Sequence, residues 1–246
     1  MMIHANGPAL WPEYKPLEEV LELQRDTLTL VWEGTYQGRP TPPGGYIIKR
    51  EWWRGKNRFS PGDFAGSQTI ARFLSIDAGL KDKPEEDTDF TSLLVGDLLA
   101  DYRLALTYCI AQRLEFPDLP DSINSWAREF NGDGLLNGII IEDKAAGTSA
   151  IQTIQRTADP GIASLIIPFV PTTDKETRAK QAAVYCKRDC VLLPRPSLET
   201  VWLPDFETEL FSFPQGRHDD RVDAFSQLIL YLENILDSGY HARKGG

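Results

Sequence analysis

Acidic residues stand where apolar segments of this chain end. Asp77 follows the run ARFLSI, and Glu142 and Asp143 follow GIII. A third acidic group, His218–Asp223 (HDDRVD), precedes a long apolar pattern of helical spacing. Burying an unpaired carboxylate is costly, so acids that close buried elements need a compensating partner. The question that the sequence poses is therefore what these acids bind.

Convergence of the three groups predicts a metal site. If the strands that end at Asp77 and Glu142 are parallel neighbours, both acids emerge at one edge of the sheet. A helix that begins near Asp219 could add its first turn, because Asp219 and Asp220 lie four and three residues before Asp223. Oxygen-only ligands favour Mg²⁺ or Mn²⁺ over zinc. Two such ions, about 3.5–4 Å apart, can activate water and stabilise the leaving oxygen of a phosphodiester.

Each acidic group also has a purely structural explanation. Asp77 could begin a turn, and the Glu142–Lys144 segment could be a solvated strand end. Asp219 and Asp220 could be favourable charges at a helix N-terminus. Three acidic groups at the ends of apolar elements nevertheless favour a shared site over three separate accidents.

Composition narrows the class of protein. The 246 residues are 41% hydrophobic and 25% charged, as in an ordinary globular protein. The net charge of −10 argues against coating nucleic acid by bulk attraction, but not against a site that gathers carboxylates around metal ions. The chain has no secretory signal pattern and no apolar run of membrane-spanning length, and its three cysteines fit a reducing cytosol.

The order of predicted elements indicates an α/β fold. Three consecutive strands with short connections favour an antiparallel meander, and alternating helices and strands follow it. We therefore expect a central mixed sheet flanked by helices. The expected strands are 71–77, 90–100, 102–115, 138–142 and 164–170, with a short extended piece at 190–193, and the expected helices are 121–130, 149–157, 174–185 and 219–236.

The first 60 residues differ from the rest. A helix is expected over Leu17–Trp32, followed by a Pro- and Gly-rich turn segment at 39–45 and a short strand at Tyr46–Trp53. Residues 49–58 combine five basic residues with two tryptophans. This segment could contact a DNA backbone or a partner, or it could be a strand with buried tryptophans and solvated charges.

Several stretches resemble the C-terminal nuclease domain of the large terminase subunit of tailed bacteriophages, a family with an RNase H-like (RuvC-like) fold. The resemblance rests on FLSIDAGLK with DTDFTSLLV, on GIIIEDKAAGTSAI and, most strongly, on FPQGRHDDRVDAFSQLILYL. The N-terminal stretch resembles the segment that joins the packaging ATPase to the nuclease. The resemblance implies a connector at 1–65 and an RNase H-like nuclease domain at 66–246.

The resemblance also implies roles for individual residues. Asp77, Glu142 and one of Asp219 and Asp220, with Asp220 favoured, match the metal-binding catalytic acids. Secondary candidates for the site are Asp223, Asp143, His218 and Asp89, the last matching an auxiliary acid in a loop that is longer and more acidic here than in the family. Lys81, Lys144 and Arg217 lie beside the acidic groups in sequence and could contact the scissile phosphate or simply balance charge.

The implied function is a metal-dependent endonuclease that cuts concatemeric viral double-stranded DNA during genome packaging, using two Mg²⁺ or Mn²⁺ ions. The chain contains no G-x-x-x-x-G-K-[ST] phosphate loop. The packaging ATPase is therefore expected on another polypeptide or a removed part, with the small terminase subunit and the portal as partners. The expected location is the host cytoplasm, with transient attachment to the procapsid portal and no membrane. The alternatives are a junction resolvase or transposase-like nuclease of the same fold, and a non-cutting module that docks the motor onto the portal.

Overall fold

Seven strands form one mixed sheet in the computed structural model, which describes residues 15–26, 35, 44–60, 62–63, 68–78, 90–143 and 146–245. The strands are β1 (Arg58–Phe59), β2 (Thr69–Asp77), β3 (Thr91–Leu99), β4 (Leu104–Gln112), β5 (Leu136–Glu142), β6 (Ile166–Phe169) and β7 (Val191–Pro194). Their order across the sheet is β1-β7-β4-β3-β2-β5-β6. The expected mixed sheet is confirmed.

The central meander is antiparallel, as predicted. β2 pairs with β3, and β3 pairs with β4 through the short turn at 100–103, which the backbone N–H of Leu99 closes by donating to the Arg103 carbonyl over 2.8 Å. Every residue of β3 is buried, because this strand lies fourth of seven and is covered on both faces. The meander therefore provides the rigid centre of the molecule.

Parallel pairing extends the sheet on both sides. β5 runs parallel to β2, and β6 runs parallel to β5 at the edge of the sheet, where Pro168 removes a backbone donor that an inner strand would need. On the other side β7 runs parallel to β4 and β1. The strands that end at Asp77 and Glu142 are thus parallel neighbours, which is the condition for a shared site.

Helices cover both faces of the sheet. They are α1 (Leu17–Asp26), α2 (Leu119–Phe130), α3 (Ala146–Thr157), α4 (Pro160–Ala163), α5 (Lys175–Lys187), α6 (Leu203–Ser212), α7 (Asp220–Tyr231) and α8 (Glu233–Gly245), with 3₁₀ helices at Arg50–Trp53, Gly55–Asn57 and Phe116–Asp118. One hydrophobic cluster packs the four helices α5, α6, α7 and α8 against one face of the sheet. A second cluster joins α2, α3 and α4 to the other face.

Local chemistry explains where the best-defined helix begins. Both carboxylate oxygens of Asp174 bind Thr177: Oδ1 accepts its backbone N–H over 2.9 Å and Oδ2 accepts its hydroxyl over 2.7 Å. An aspartate before the first turn satisfies a donor that has no partner inside the helix. The predicted helix start at Asp174 is confirmed, and it matters because α5 delivers two cations to the candidate site.

Two expected elements are corrected. Tyr46–Trp53 is not a strand: Gly45 has φ +88°, and residues 50–53 form a 3₁₀ helix anchored by a 2.9 Å hydrogen bond from Trp53 Nε1 to the Val191 carbonyl. The expected helix 219–236 is two helices, because α7 ends at Tyr231 and α8 begins at Glu233. Of the helix expected over Leu17–Trp32, residues 17–26 are helical, and 27–34 lie outside the described residues.

The segment 44–60 packs onto the sheet-and-helix body. Ile48 and Trp53 are buried in the same cluster as α6 and α7, and β1 extends the sheet. The boundary at 65/66 stays a prediction. Cys109, Cys186 and Cys190 are buried free thiols. No helix among the described residues has the length and apolarity needed to cross a membrane.

Candidate active site at the carboxyl ends of two strands

Asp77 and Glu142 lie side by side at the carboxyl ends of β2 and β5. The register pairs Ile76 with Ile141, so the next residue of each strand is an acid. Neighbouring strands are about 4.8 Å apart. Both side chains face α5 and α7, since strand residues alternate between faces and Ile140, two residues before Glu142, packs in the cluster of those helices. Two acids distant in sequence therefore converge.

Helix α7 brings the third acidic group to the same edge. Asp219 directly precedes this helix, Asp220 is its first residue, and Asp223 lies in its first turn with only 4% of its surface exposed. The helix packs against both β2 and β3. The three groups that the sequence singled out therefore occupy one region of the molecule.

Electrostatic coupling confirms that the acids are close. Asp77 is 8% exposed, and burial is the main cause that raises its pKa well above the usual carboxyl range. The carboxylates of Asp223, Glu142 and Asp220 raise it further, while Lys175 opposes the shift. A carboxylate surrounded in this way binds a cation or a proton.

Two cations from α5 neutralise the buried acids. Lys175 Nζ lies 2.5 Å from Asp223 Oδ2 and 3.0 Å from Asp219 Oδ1. Burial lowers the pKa of Lys175, but Asp223 and Asp219 outweigh it and raise that pKa overall. Arg178, 3% exposed, donates to Asp223 Oδ1 over 2.8 Å and lies 3.7 Å from Glu142 Oε1. Both oxygens of Asp223 therefore face protein cations, and burial raises its pKa despite them.

Gln227 fixes the position of the acid-bearing elements relative to one another. Its side-chain Nε2, on α7, lies within donating distance of Ser75 Oγ at 2.9 Å, of the Ile140 carbonyl at 3.1 Å and of the Ile76 carbonyl at 3.3 Å. Ser75 Oγ in turn donates to the Ala224 carbonyl of α7 over 2.8 Å. We call Gln227 and Ser75 the polar clamp. It connects α7 to β2 one residue before Asp77 and to β5 two residues before its terminal acid.

The start of α7 is held from the other side by Glu209 of α6. Glu209 Oε1 accepts the backbone N–H of Arg221 over 2.6 Å, and Oε2 accepts from the Arg221 guanidinium over 2.8 Å. Burial raises the pKa of Glu209, and the Arg221 charge opposes that rise. The bond to the backbone satisfies one of the free donors at the helix N-terminus. The first turn of α7 is thus clamped between α6 and the sheet.

Of the other candidates, the structure describes Asp143, His218 and Arg217. The Asp143 carboxylate accepts a hydrogen bond from the Thr148 hydroxyl. His218 is exposed and packs edge-on against Phe90, with ring centroids 5.3 Å apart, and its pKa is lowered by partial desolvation and by nearby arginines. Arg217 is exposed beside it. Three other candidates, Asp89, Lys81 and Lys144, lie outside the described residues.

The donor chemistry fits a hard divalent cation, but the present arrangement is held by protein cations. The site offers carboxylate oxygens, which Mg²⁺ and Mn²⁺ prefer. Among the described residues, however, no group of three acids, histidines or cysteines converges closely enough to hold an ion. Asp77, Glu142 and Asp220 are therefore suitable ligands by type and neighbourhood, whereas Asp223 is engaged with Lys175 and Arg178.

Sequence reasoning missed the residues that organise these acids. Lys175, Arg178 and Gln227 lie on helices whose polar residues are typical of a solvent-exposed face. Only Gln227 gave a signal. It belongs to the run of buried residues on α7, with Ser226 before it and Leu228 after it. A polar residue within a buried stripe indicates a buried hydrogen bond.

Comparison with known proteins decides the family. The family model for the terminase RNase H-like domain matches residues 75–232, which include all three acidic groups at the sheet edge. The chain belongs to this terminase family. A search of curated proteins found no match.

Three solved structures can be aligned with this chain. The nuclease domain of the human cytomegalovirus terminase aligns with a TM-score of 0.51 and 12% identity, over 76% of this chain and 95% of that one. The large terminase of a thermophilic bacteriophage, solved with ADP, gives a TM-score of 0.48 and 11% identity, over 89% of this chain and 53% of that one. The fowlpox virus Holliday junction resolvase gives a TM-score of 0.42 and 14% identity, over 67% of this chain and 99% of that one. The first of these alignments, together with the family model, confirms the RNase H-like fold of this terminase domain.

Proposed function

We propose that this terminase domain is a metal-dependent endonuclease that cuts double-stranded viral DNA during genome packaging. The observation that carries the proposal is the meeting of Asp77, Glu142 and the start of α7 at one edge of the sheet. Family membership supports the DNA substrate and the packaging role. A motor on another polypeptide or on a removed part, the small terminase subunit and the portal are the partners that this role requires, with the host cytoplasm as its location.

Asp77, Glu142 and Asp220 would hold the divalent cations, Mg²⁺ or Mn²⁺, with Asp219 as an additional ligand. Bound in pairs, such ions lower the pKa of an attacking water and stabilise the departing oxygen of a phosphodiester. Asp77 is the central ligand, because it is buried at the strand end and the carboxylates of Asp223, Glu142 and Asp220 all act on its charge. Asp223 serves chiefly to hold Lys175 and Arg178 in place.

Lys175 keeps the site assembled before a cation enters. Its side chain is 49% exposed, so the ammonium can turn toward solvent when a cation takes its place beside Asp219 and Asp223. Arg178 is buried and stays, which leaves Glu142 and Asp223 partly neutralised whatever else is bound. The protein therefore supplies a flexible and a fixed positive charge next to the position where the phosphate must approach.

The test is digestion of supercoiled plasmid with Mn²⁺ by the wild type and by Asp77→Asn, which keeps the side-chain shape and removes the charge. We expect the variant to lose at least about 100-fold in cleavage rate, as when a principal electrostatic group is removed. Glu129→Gln is the matched control and should cut like the wild type, because Glu129 is an exposed acid in the last turn of α2, next to Phe130, whose carbonyl accepts from Arg72 near the start of β2.

Three outcomes would contradict the proposal. Equal cutting by the wild type and Asp77→Asn would show that the acidic edge is not the active site. Cleavage of four-way junctions with no cleavage of linear duplex would indicate a resolvase instead of a packaging endonuclease. A protein that binds the portal but cuts neither substrate would be the non-cutting docking module.

A further inference from the structure

A groove lies between the C-terminal end of α8, the α5–β7 loop and the turn that joins β3 to β4. It consists of two adjoining cavities of about 460 Å³ and 300 Å³, which share Arg188, Asp189, Tyr240 and Lys244 as lining residues. We call this the basic groove. It is distinct from the acidic site in both position and charge.

Positive charge is concentrated in the basic groove. Among the residues that the structure describes, its lining contains six basic residues and two acids, Asp101 and Asp189. The basic residues are Lys56, Arg103, Lys187, Arg188, Arg243 and Lys244. In a chain with a net charge of −10, such a concentration is unexpected for a surface that only needs to be solvated. The groove is therefore a positively charged surface on a protein whose net charge is negative.

Ion pairs hold the walls of the groove in place. Lys56 Nζ lies 2.9 Å from Asp189 Oδ2, Arg103 Nε lies 2.7 Å from Asp101 Oδ2, and the Arg188 guanidinium stacks over the Tyr240 ring at 4.9 Å. These contacts fix the shape of the groove and satisfy both acids.

Two lysines complete the groove without such partners. Lys187 and Lys244 are exposed and form no ion pair with any residue that the structure describes. Their ammonium groups are therefore available to an anion that enters from solvent.

The groove lies at the opposite end of the sheet from the acidic site. β2 runs from Thr69, paired with Leu99 next to the β3–β4 turn, to Asp77 at the catalytic edge. Nine residues of extended strand place the two ends about 26 Å apart. An anion bound in the groove is therefore not the phosphate that the acids would cut.

We propose that the basic groove binds backbone phosphates of DNA away from the point of cleavage. The inference rests on the proposed function, since a −10 protein that acts on a polyanion needs a local positive surface to hold it. Fixed arginines and two available lysines match phosphodiester oxygens, which carry no sequence information. The groove thus adds affinity for DNA while leaving sequence selectivity low.

The proposal is tested by fluorescence anisotropy with a labelled duplex of about 30 base pairs in EDTA, over a series of salt concentrations. The variant is Lys187→Ala with Lys244→Ala. Each lost phosphate contact lowers the slope of log affinity against log salt by about 0.9, so we expect the slope to fall by about 2. Arg128→Ala with Arg156→Ala is the control, because it removes the same charge from exposed positions on α2 and α3.

Four results decide between the explanations. A loss of affinity and slope in the groove variant alone supports the groove. An equal loss in both double variants means that only net charge matters and overturns it, as does wild-type binding by the groove variant. Inorganic phosphate distinguishes a free-anion site from a DNA site. The groove is assigned to free phosphate if millimolar phosphate raises the melting temperature of the wild type and the groove variant binds the duplex unchanged. Because no cleavage is measured, failure of the nuclease proposal would leave this result readable.

Discussion

Replacing Gln227 by Met should uncouple the acid-bearing elements without removing any acid. Methionine has nearly the same volume as glutamine but cannot donate to Ser75 or to the Ile76 and Ile140 carbonyls. The amide has two hydrogens, so at most two of the three contacts are full hydrogen bonds. At about 0.5–1.5 kcal/mol for each bond, we expect a loss of about 1–3 kcal/mol in the free energy of unfolding.

The assay for the polar clamp has two readouts. A loss near 2 kcal/mol should lower the melting temperature by about 4–8 °C in a domain of this size. Misplacement of the ligands should also weaken Mn²⁺ binding, measured by titration calorimetry, by about 10-fold or more, as when outer partners of metal ligands are removed. The second readout distinguishes a positioning role from general destabilisation.

The matched control for the clamp is Ser226→Ala on the same helix. Ser226 is also buried, but its hydroxyl donates to the Asp223 carbonyl within the helix over 3.1 Å, and so it makes no connection to the sheet. We expect Ser226→Ala to keep wild-type Mn²⁺ affinity. If Gln227→Met matched the wild type in both melting temperature and Mn²⁺ affinity, the reasoning about the clamp would be refuted.

Three further changes are predicted. In EDTA, Asp77→Asn should raise the free energy of unfolding at pH 7 by roughly 0.5–2 kcal/mol. The pKa of Asp77 is raised in the folded protein, so the stability of the wild type falls as pH rises above the ordinary value of 3.8. In urea melts the gain should vanish below that pH, and a loss of stability at pH 7 would contradict the prediction. Arg178→Met should lower the free energy of unfolding by about 3–5 kcal/mol, because buried Asp223 keeps only Lys175 as a partner. A decrease of less than about 1 kcal/mol in urea melts would disprove this. Gly96→Ala should lower the free energy of unfolding by about 1–3 kcal/mol through overpacking, since an added Cβ would lie 2.8 Å from a Leu228 methyl of α7. Unchanged thermal stability would contradict this prediction.

Much of the sheet could be predicted because its strands obey simple rules. β3 (TSLLVGDLL) is buried along its whole length, and its leucines and valine predict a strand inside the sheet. Acids that close such runs, at Asp77 and Glu142, were recognisable because burial of an unpaired charge is costly. The same rule led to the start of α7. The location of the candidate site was therefore available from the residues themselves.

The partners of those acids could not be predicted in the same way. Lys175 and Arg178 follow Asp174 on a helix rich in charged residues, a pattern that in isolation indicates a solvated face. Which of these charges is buried depends on how α5 packs against α7, and that is set by contacts between residues more than 40 positions apart.

One wrong element has a similarly tertiary cause. The segment YIIKREWW predicts a short strand at Tyr46–Trp53, but the positive φ of Gly45 turns the chain and the Trp53 indole donates to the distant Val191 carbonyl. Local pattern gives the propensity of a segment, and tertiary contacts override it where a large side chain finds a better partner.

The distance in sequence between the acids has a consequence for biosynthesis. Asp77 and Glu142 belong to parts of the sheet that a ribosome releases well before α7, yet the central face of β2 is covered only when α7 packs on it. A nascent chain that stops short of α7 exposes an apolar surface and holds two acids without the third group. If the capacity to cut resides in these acids, it arises only once α7 has packed on the sheet.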